Sequence, residues 1–288
     1  MVKYAYINGK EVIHELERKL SMNRIIALIL SIILVISLAA CSTSAVKEDK
    51  ESAEVVVFAA ASMTETLEEI EKSYITAHPD VKLTFNFDSS GTLKTQIEEG
   101  AVCDLFISAA QKQMNGLEEG GYIDAATRVD LLENKVALCV AENSKAEIAT
   151  YEDMKSHLEA GDILMAIGNE DVPVGQYTRK IFSYYGLDEK ALSDKGVLTY
   201  GSNVKEVTTQ VAEGTVDCGI IYQTDAYSAK LTVTDTATEE MCGQVIYPAA
   251  VLKNSKVAEQ AKAFLDYLQT AEASAVFEKV GFTPLPKP

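Results

Sequence analysis

Histidine is nearly missing from this 288-residue chain, which holds only His14, His78 and His157. A serine hydrolase needs an imidazole base beside its nucleophile, and these three stand in polar, surface-like contexts or ahead of the folded part. No G-x-S-x-G elbow is present either. Positive charge is also scarce, with 26 Lys and Arg against 43 Asp and Glu and a net charge of −17. A nucleic-acid binder that works by neutralising phosphates is therefore excluded. By the same reasoning an acidic chain is expected to avoid anions. CxxC pairs and His-carboxylate clusters are lacking, which argues against zinc sites and metal-assisted hydrolysis. There is no glycine-rich phosphate loop, internal repeat, low-complexity tract or long linker, so two domains would have to be joined by short crossing strands.

What is present is a substantial core, with 47% hydrophobic and 24% charged residues in a chain long enough for two domains. The N-terminus is different material. Ile25 to Ala40 is an uncharged apolar run preceded by Asn23 and Arg24, too short for a comfortable span and patterned as a secretory signal. It ends in Leu38-Ala-Ala-Cys41, which resembles a bacterial lipobox; that resemblance implies lipidation of Cys41 as the first mature residue. Residues 1–21 read as an extension ahead of a normal signal start at Met22, and residues 41–53 as a lipidated flexible tether. Removing residues 1–40 takes away five basic and three acidic residues and leaves a net charge of −19.

Cys103, Cys139, Cys218 and Cys242 remain. An extracytoplasmic location permits disulfides, whereas apolar settings such as Val136 to Val140 suit buried thiols; the sequence leaves both open.

Strand-like and helix-like segments alternate, which predicts an α/β architecture of mostly parallel sheets flanked by helices. Val55 to Ala60 reads as a buried strand, Val81 to Phe87 as a second, and Leu105 to Ser108, Lys135 to Ala141, Ile163 to Ile167 and Gly219 to Tyr222 as others. A hairpin-like pair is expected around Leu231 and Val245 to Leu252, before an amphipathic C-terminal helix.

Four helices are expected to start just after a strand, at Ser62, Ser90, Val174 and Val204, the last beside Asn203. In open α/β sheets ligands sit at the carboxyl ends of strands, and each helix start exposes unpaired N–H groups and a positive dipole end. Together they suit a small anion without Lys or Arg. Routine capping is the competing explanation, and for Ser62 the spacing to Glu65 fits a capping box. Arg128 is expected to make a structural ion pair, and the Glu68, Glu69, Glu71 and Glu98, Glu99 clusters read as solvated helix faces.

Val57 to Thr64 (VFAAASMT), Phe87 to Leu93 (FDSSGTL), Asp104 to Ala109, Val172-Pro-Val-Gly175 and Gly219-Ile-Ile-Tyr222 resemble, in order, the motifs of the periplasmic molybdate-binding proteins of ABC transporters. The likeness runs from about Glu54 to Thr283. It implies a type II, two-lobed binding-protein fold hinged on two crossing strands, with residues 54–136 and 226–288 in lobe 1 and 137–225 in lobe 2. It implies a non-enzymatic, monomeric solute-binding protein that carries molybdate, and tungstate with it, to a permease and its ATPase, with no cofactor of its own. By motif, Ser62 and Ser90 would donate hydroxyl and backbone hydrogen bonds, Val174 and Val204 backbone N–H groups, and Tyr222 a phenol hydroxyl. Tyr222 has core packing as its alternative. Gly91 stands where relatives commonly carry Ser, so a hydroxyl contact there is missing.

A buried dianion without counter-charges needs several charge-assisted hydrogen bonds, each worth about 1.5–3 kcal/mol. Donor-only geometry rejects protonated oxyanions, while sulfate must be rejected on size. Asp88 is close in sequence, but its direction cannot be read there. Sulfate or another small anion in the same fold is the alternative ligand.

Overall fold

The computed structural model describes residues 52–286, so Cys41, the signal segment and nearly all of the expected tether lie outside the described residues. Two sheets organise the rest. The first has the order β11-β4-β10-β3-β1-β2 and the second β7-β6-β8-β5-β9. The strands of the first are β1 (Ala53–Ala60), β2 (Val81–Asp88), β3 (Leu105–Ile107), β4 (Val129–Asn134), β10 (Val245–Val251) and β11 (Thr283–Pro284). Those of the second are β5 (Val136–Val140), β6 (Met165–Gly168), β7 (Leu198–Gly201), β8 (Cys218–Tyr222) and β9 (Val233–Thr236).

Both sheets are mixed. β1 runs parallel to β2 and β3, and β6 parallel to β7 and β8, because a helix returns the chain between them. β10 and β5 add antiparallel pairings, and β11 pairs antiparallel with β4. The continuous apolar runs read from sequence are covered on both faces, as in the second half of β1, where Val57 and Ala59 on one face and Phe58 and Ala60 on the other are all buried.

One residue, Lys135, separates β4 of the first sheet from β5 of the second. The return is later than the lobe boundary expected at residue 226: after β8 the chain forms the helix Gln223–Ala229 and then β9, which pairs with β5 of the second sheet. The passage back to the first sheet therefore follows Thr236. For the same reason the hairpin between the Leu231 region and β10 is not formed; β9 and β10 belong to different sheets. Strand β4 was not read from sequence, since Val-Asp-Leu-Leu-Glu-Asn lacks an alternating pattern and buries its two adjacent leucines.

Cys103, Cys139, Cys218 and Cys242 are all free and buried, which resolves the open question in favour of thiols. Arg128 joins Glu118, Gln111 and Asn115, the structural role expected of it.

Candidate functional site

Helix starts gather at the carboxyl ends of strands from both sheets. After β1 the chain makes a short 3-10 turn, Ala61–Met63, and then the helix Thr64–Ala77. After β2 comes the helix Ser90–Glu98, after β6 the helix Pro173–Tyr185, and after β7 the helix Val204–Ala212. A small, tightly lined cavity lies where they converge, bounded by Ala60, Ser62, Asp88, Ser90, Val174 and Tyr222 among others. Val204 lines it as well, so all five residues expected to hold a ligand face one space.

Ser62 is buried, and its Oγ lies 2.9 Å from the Tyr247 hydroxyl. The expected capping box is absent: the helix N-cap is Met63, without a side-chain cap, and Glu65 turns instead to Lys205. Routine capping therefore does not account for Ser62. Ser90 occupies the first position of its helix, where Ser89 is the cap and accepts from the Thr92 N–H. This frees the fully buried Ser90 hydroxyl, whose oxygen accepts from the Ala109 N–H at 2.9 Å.

Val174 is the second residue of a helix that opens with Pro173 and has no side-chain cap, so its N–H belongs to the unpaired first turn. Gly175 is required there. A Cβ on it would come 2.3 Å from the Gly168 carbonyl oxygen, so the helix start is pressed against the end of β6. Val204 opens its helix behind the cap Asn203, whose side chain accepts from the Glu206 N–H.

Tyr222 ends β8, fully buried, with its ring edge-on to Tyr177 and Tyr247. Its hydroxyl makes no hydrogen bond of good geometry. Burial first, and then the neighbouring Tyr247 and Tyr177, hold its pKa well above the ordinary phenol value, so it stays protonated and able to donate.

Asp88 also lines the cavity. Its Oδ1 accepts from the Ser89 N–H at 2.7 Å and from Asn203 Nδ2 at 3.4 Å, so that oxygen is turned to protein donors. Neither described imidazole serves the serines, because His78 stacks on Tyr74 and His157 contacts Asp162. No Lys or Arg is in the lining. Among the described residues no group of three or more His, Cys, Asp or Glu could hold a metal ion. The arrangement offers hydroxyls and helix-terminal N–H groups to something that accepts hydrogen bonds from many sides.

Sequence reasoning missed the polar groups behind this lining. Tyr247 and Asn134, both buried, stand one layer back from Ser62; neither carries a local sequence signal. Gly91 proved to matter for a different reason from a missing hydroxyl, since a Cβ there would lie 2.2 Å from the Asp171 carbonyl oxygen across the cleft.

Residues 55–283 match the family described as bacterial extracellular solute-binding protein. The chain is 35% identical over 248 residues, 85% of its length and 92% of the relative's, to YvgL of Bacillus subtilis, named a "Putative ABC transporter substrate-binding lipoprotein". It is 34% identical to the molybdate-binding protein ModA of Escherichia coli, over 81% of this chain and 90% of that one. A solved structure from Clostridium difficile, titled "substrate binding domain of putative molybdenum ABC transporter", superposes with a TM-score of 0.59 at 34% identity, covering 82% of this chain and all of the other.

Proposed function

The chain belongs to the bacterial extracellular solute-binding protein family, a family of non-enzymatic transport components, and on that premise we propose that it captures molybdate, and tungstate with it. The oxyanion is cargo, held in the cavity between the two sheets and handed to a membrane permease with its cytoplasmic ATPase. The observation that carries this reading is the donor set. Ser62, Ser90, Tyr222 and the helix starts at Val174 and Val204 converge on one space lined by no Lys or Arg. Helix-terminal N–H groups and hydroxyls stabilise a buried dianion through short charge-assisted bonds, each worth about 1.5–3 kcal/mol, and need no counter-charge. Net negative charge is no obstacle, because the surface carboxylates remain in water.

The same reading makes Cys41 a lipid-bearing residue that anchors a monomer outside the cytoplasmic membrane, supported by the lipobox-like sequence and by the name of the Bacillus relative. Closure of the two lobes about the Lys135 crossing is the mechanical step.

Calorimetric titration of the protein with molybdate, tungstate and sulfate in parallel tests the proposal. Tight binding of the first two with weak sulfate binding is the expected result. Tight sulfate binding without molybdate or tungstate binding overturns the assignment of cargo.

A further inference from the structure

Asn134 stands at the end of β4, immediately before the crossing residue Lys135. Its Oδ1 accepts from the Lys135 backbone N–H at 2.8 Å. An amide N–H can only donate, so this contact fixes which end of the Asn134 side chain is oxygen and turns its nitrogen the other way. The nitrogen meets two hydroxyl oxygens, Thr224 Oγ1 at 3.0 Å and Tyr247 Oη at 3.1 Å, one for each of its hydrogens. Tyr247 Oη is thus an acceptor from Asn134. A phenol has a single hydrogen, and two hydroxyls stand beside Tyr247: Ser62, at 2.9 Å, has hydrogen-bond geometry to it, and Tyr222 has none. The Ser62 contact is open to either donor by distance alone; with Asn134 already donating to Tyr247, the arrangement in which every hydrogen is used sends the phenol hydrogen to Ser62 Oγ. Ser62 in turn accepts and keeps its own hydrogen for the cavity it lines. Ser90 is set the same way by a different donor, the Ala109 N–H.

We infer that Tyr247, oriented by Asn134, is a positioning residue that fixes the Ser62 hydroxyl as a hydrogen-bond donor toward the bound anion. Burial keeps Tyr247 well above the ordinary phenol pKa, so its hydrogen is retained. Without the relay, Ser62 is free to spend its hydrogen on a protein partner, and the orientation has to be established when the ligand arrives. With it, the donor is aligned before binding, and the chain of bonds polarises each member. The relay also starts at the crossing between the sheets, because Lys135 supplies the first donor and its carbonyl accepts from the Gln223 N–H at 2.9 Å. This inference rests on the oxyanion site proposed above.

The test is a double-mutant cycle on the full chain, with Tyr247→Phe, Ser62→Ala and the double variant titrated with molybdate and their thermal unfolding recorded. Tyr247→Phe is expected to weaken binding about tenfold in the wild-type background and less than about twofold in the Ser62→Ala background. A residue that only supports the fold lowers the melting temperature and affects both backgrounds alike. Equal losses in the two backgrounds, or no loss in either, overturn the inference. Asn134→Leu, which removes the orienting donor and leaves both hydroxyls, replaces Tyr247→Phe where that variant does not fold, and its loss is expected to vanish with Ser62 too. A wild-type protein that binds none of molybdate, tungstate and sulfate overturns the oxyanion reading and this inference with it, a failure seen before any variant is made.

Discussion

The Lys205 ammonium lies 2.7 Å from the Glu65 carboxylate and ties the helix that follows β7 to the helix that follows β1, one from each sheet. The pair is partly exposed, so its own contribution is modest, under about 1 kcal/mol. Its importance lies behind it. The same ammonium is 3.2 Å from Asp225, whose carboxyl is 1% exposed and has no hydrogen bond of good geometry on either oxygen.

Burial raises the Asp225 pKa to about 6, against the lowering effect of Lys205. The folded state therefore holds this proton more tightly than the unfolded chain. The associated stability is complete below about pH 4 and is lost as the pH rises through about 6. Asp225→Asn stays neutral throughout, so its stability relative to wild type should rise between about pH 4 and pH 7 by up to about 3 kcal/mol. Melting temperatures of both proteins across that range decide the matter, and a pH-independent difference refutes it.

Lys205→Met should push the Asp225 pKa higher still, because the favourable charge beside it is removed. The loss of stability relative to wild type should then be largest at and above neutral pH and shrink toward pH 4. Thermal unfolding at pH 4 and pH 8 measures it; an equal loss at both would assign the effect to packing of the Lys205 stem.

Ser62→Ala and Ser90→Ala should each weaken oxyanion binding by about tenfold or more, since each deletes a charge-assisted donor. Far-UV circular dichroism should be unchanged. Calorimetry showing wild-type affinity in both variants would remove the serines from the site.

Gly91→Ala puts a methyl group 2.2 Å from the Asp171 carbonyl oxygen, a backbone atom that cannot rotate away. Overpacking of this kind costs about 1–3 kcal/mol, and here the cost falls on the approach of the two helix starts across the cleft. Binding should weaken by about ten- to a hundredfold, read by the same titration. Unchanged affinity would mean that the Asp171 loop gives way.

The four described cysteines should resist iodoacetamide in the native protein and react only on unfolding. They are buried, and burial raises the thiol of Cys139 to about 12 and those of Cys103 and Cys218 further. Reductant should leave the melting temperature unchanged. Modification of Cys103 or Cys218 at native pH, seen by mass spectrometry, would contradict this.

The helix starts that line the cavity were legible because strand, small polar turn and helix are local patterns: the starts at Ser90, Val174 and Val204 follow from apolar runs that end at a turn. Ser62 shows where local reading fails. Its spacing to Glu65 is that of a capping box, yet both side chains are taken by distant partners, Tyr247 and Lys205, that no local pattern announces. Strand β4 escaped notice because its two buried leucines are adjacent, and β9 was assigned to the wrong neighbour because pairing partners are not written in a strand's own residues.

The sequence alone therefore determined the alternation of strands and helices, the apolar strands that become the sheets, and the helix starts whose unpaired N–H groups suit an anion, since each depends on residues within one or two turns of chain. Only the tertiary structure decided which sheet each strand joins, where the chain crosses back, that the cysteines stay thiols, and how Asn134, Tyr247 and Ser62 share their hydrogens. Those outcomes depend on atoms brought together from up to 185 residues apart, and a hydrogen bond is set by distance and direction in space rather than by spacing along the chain.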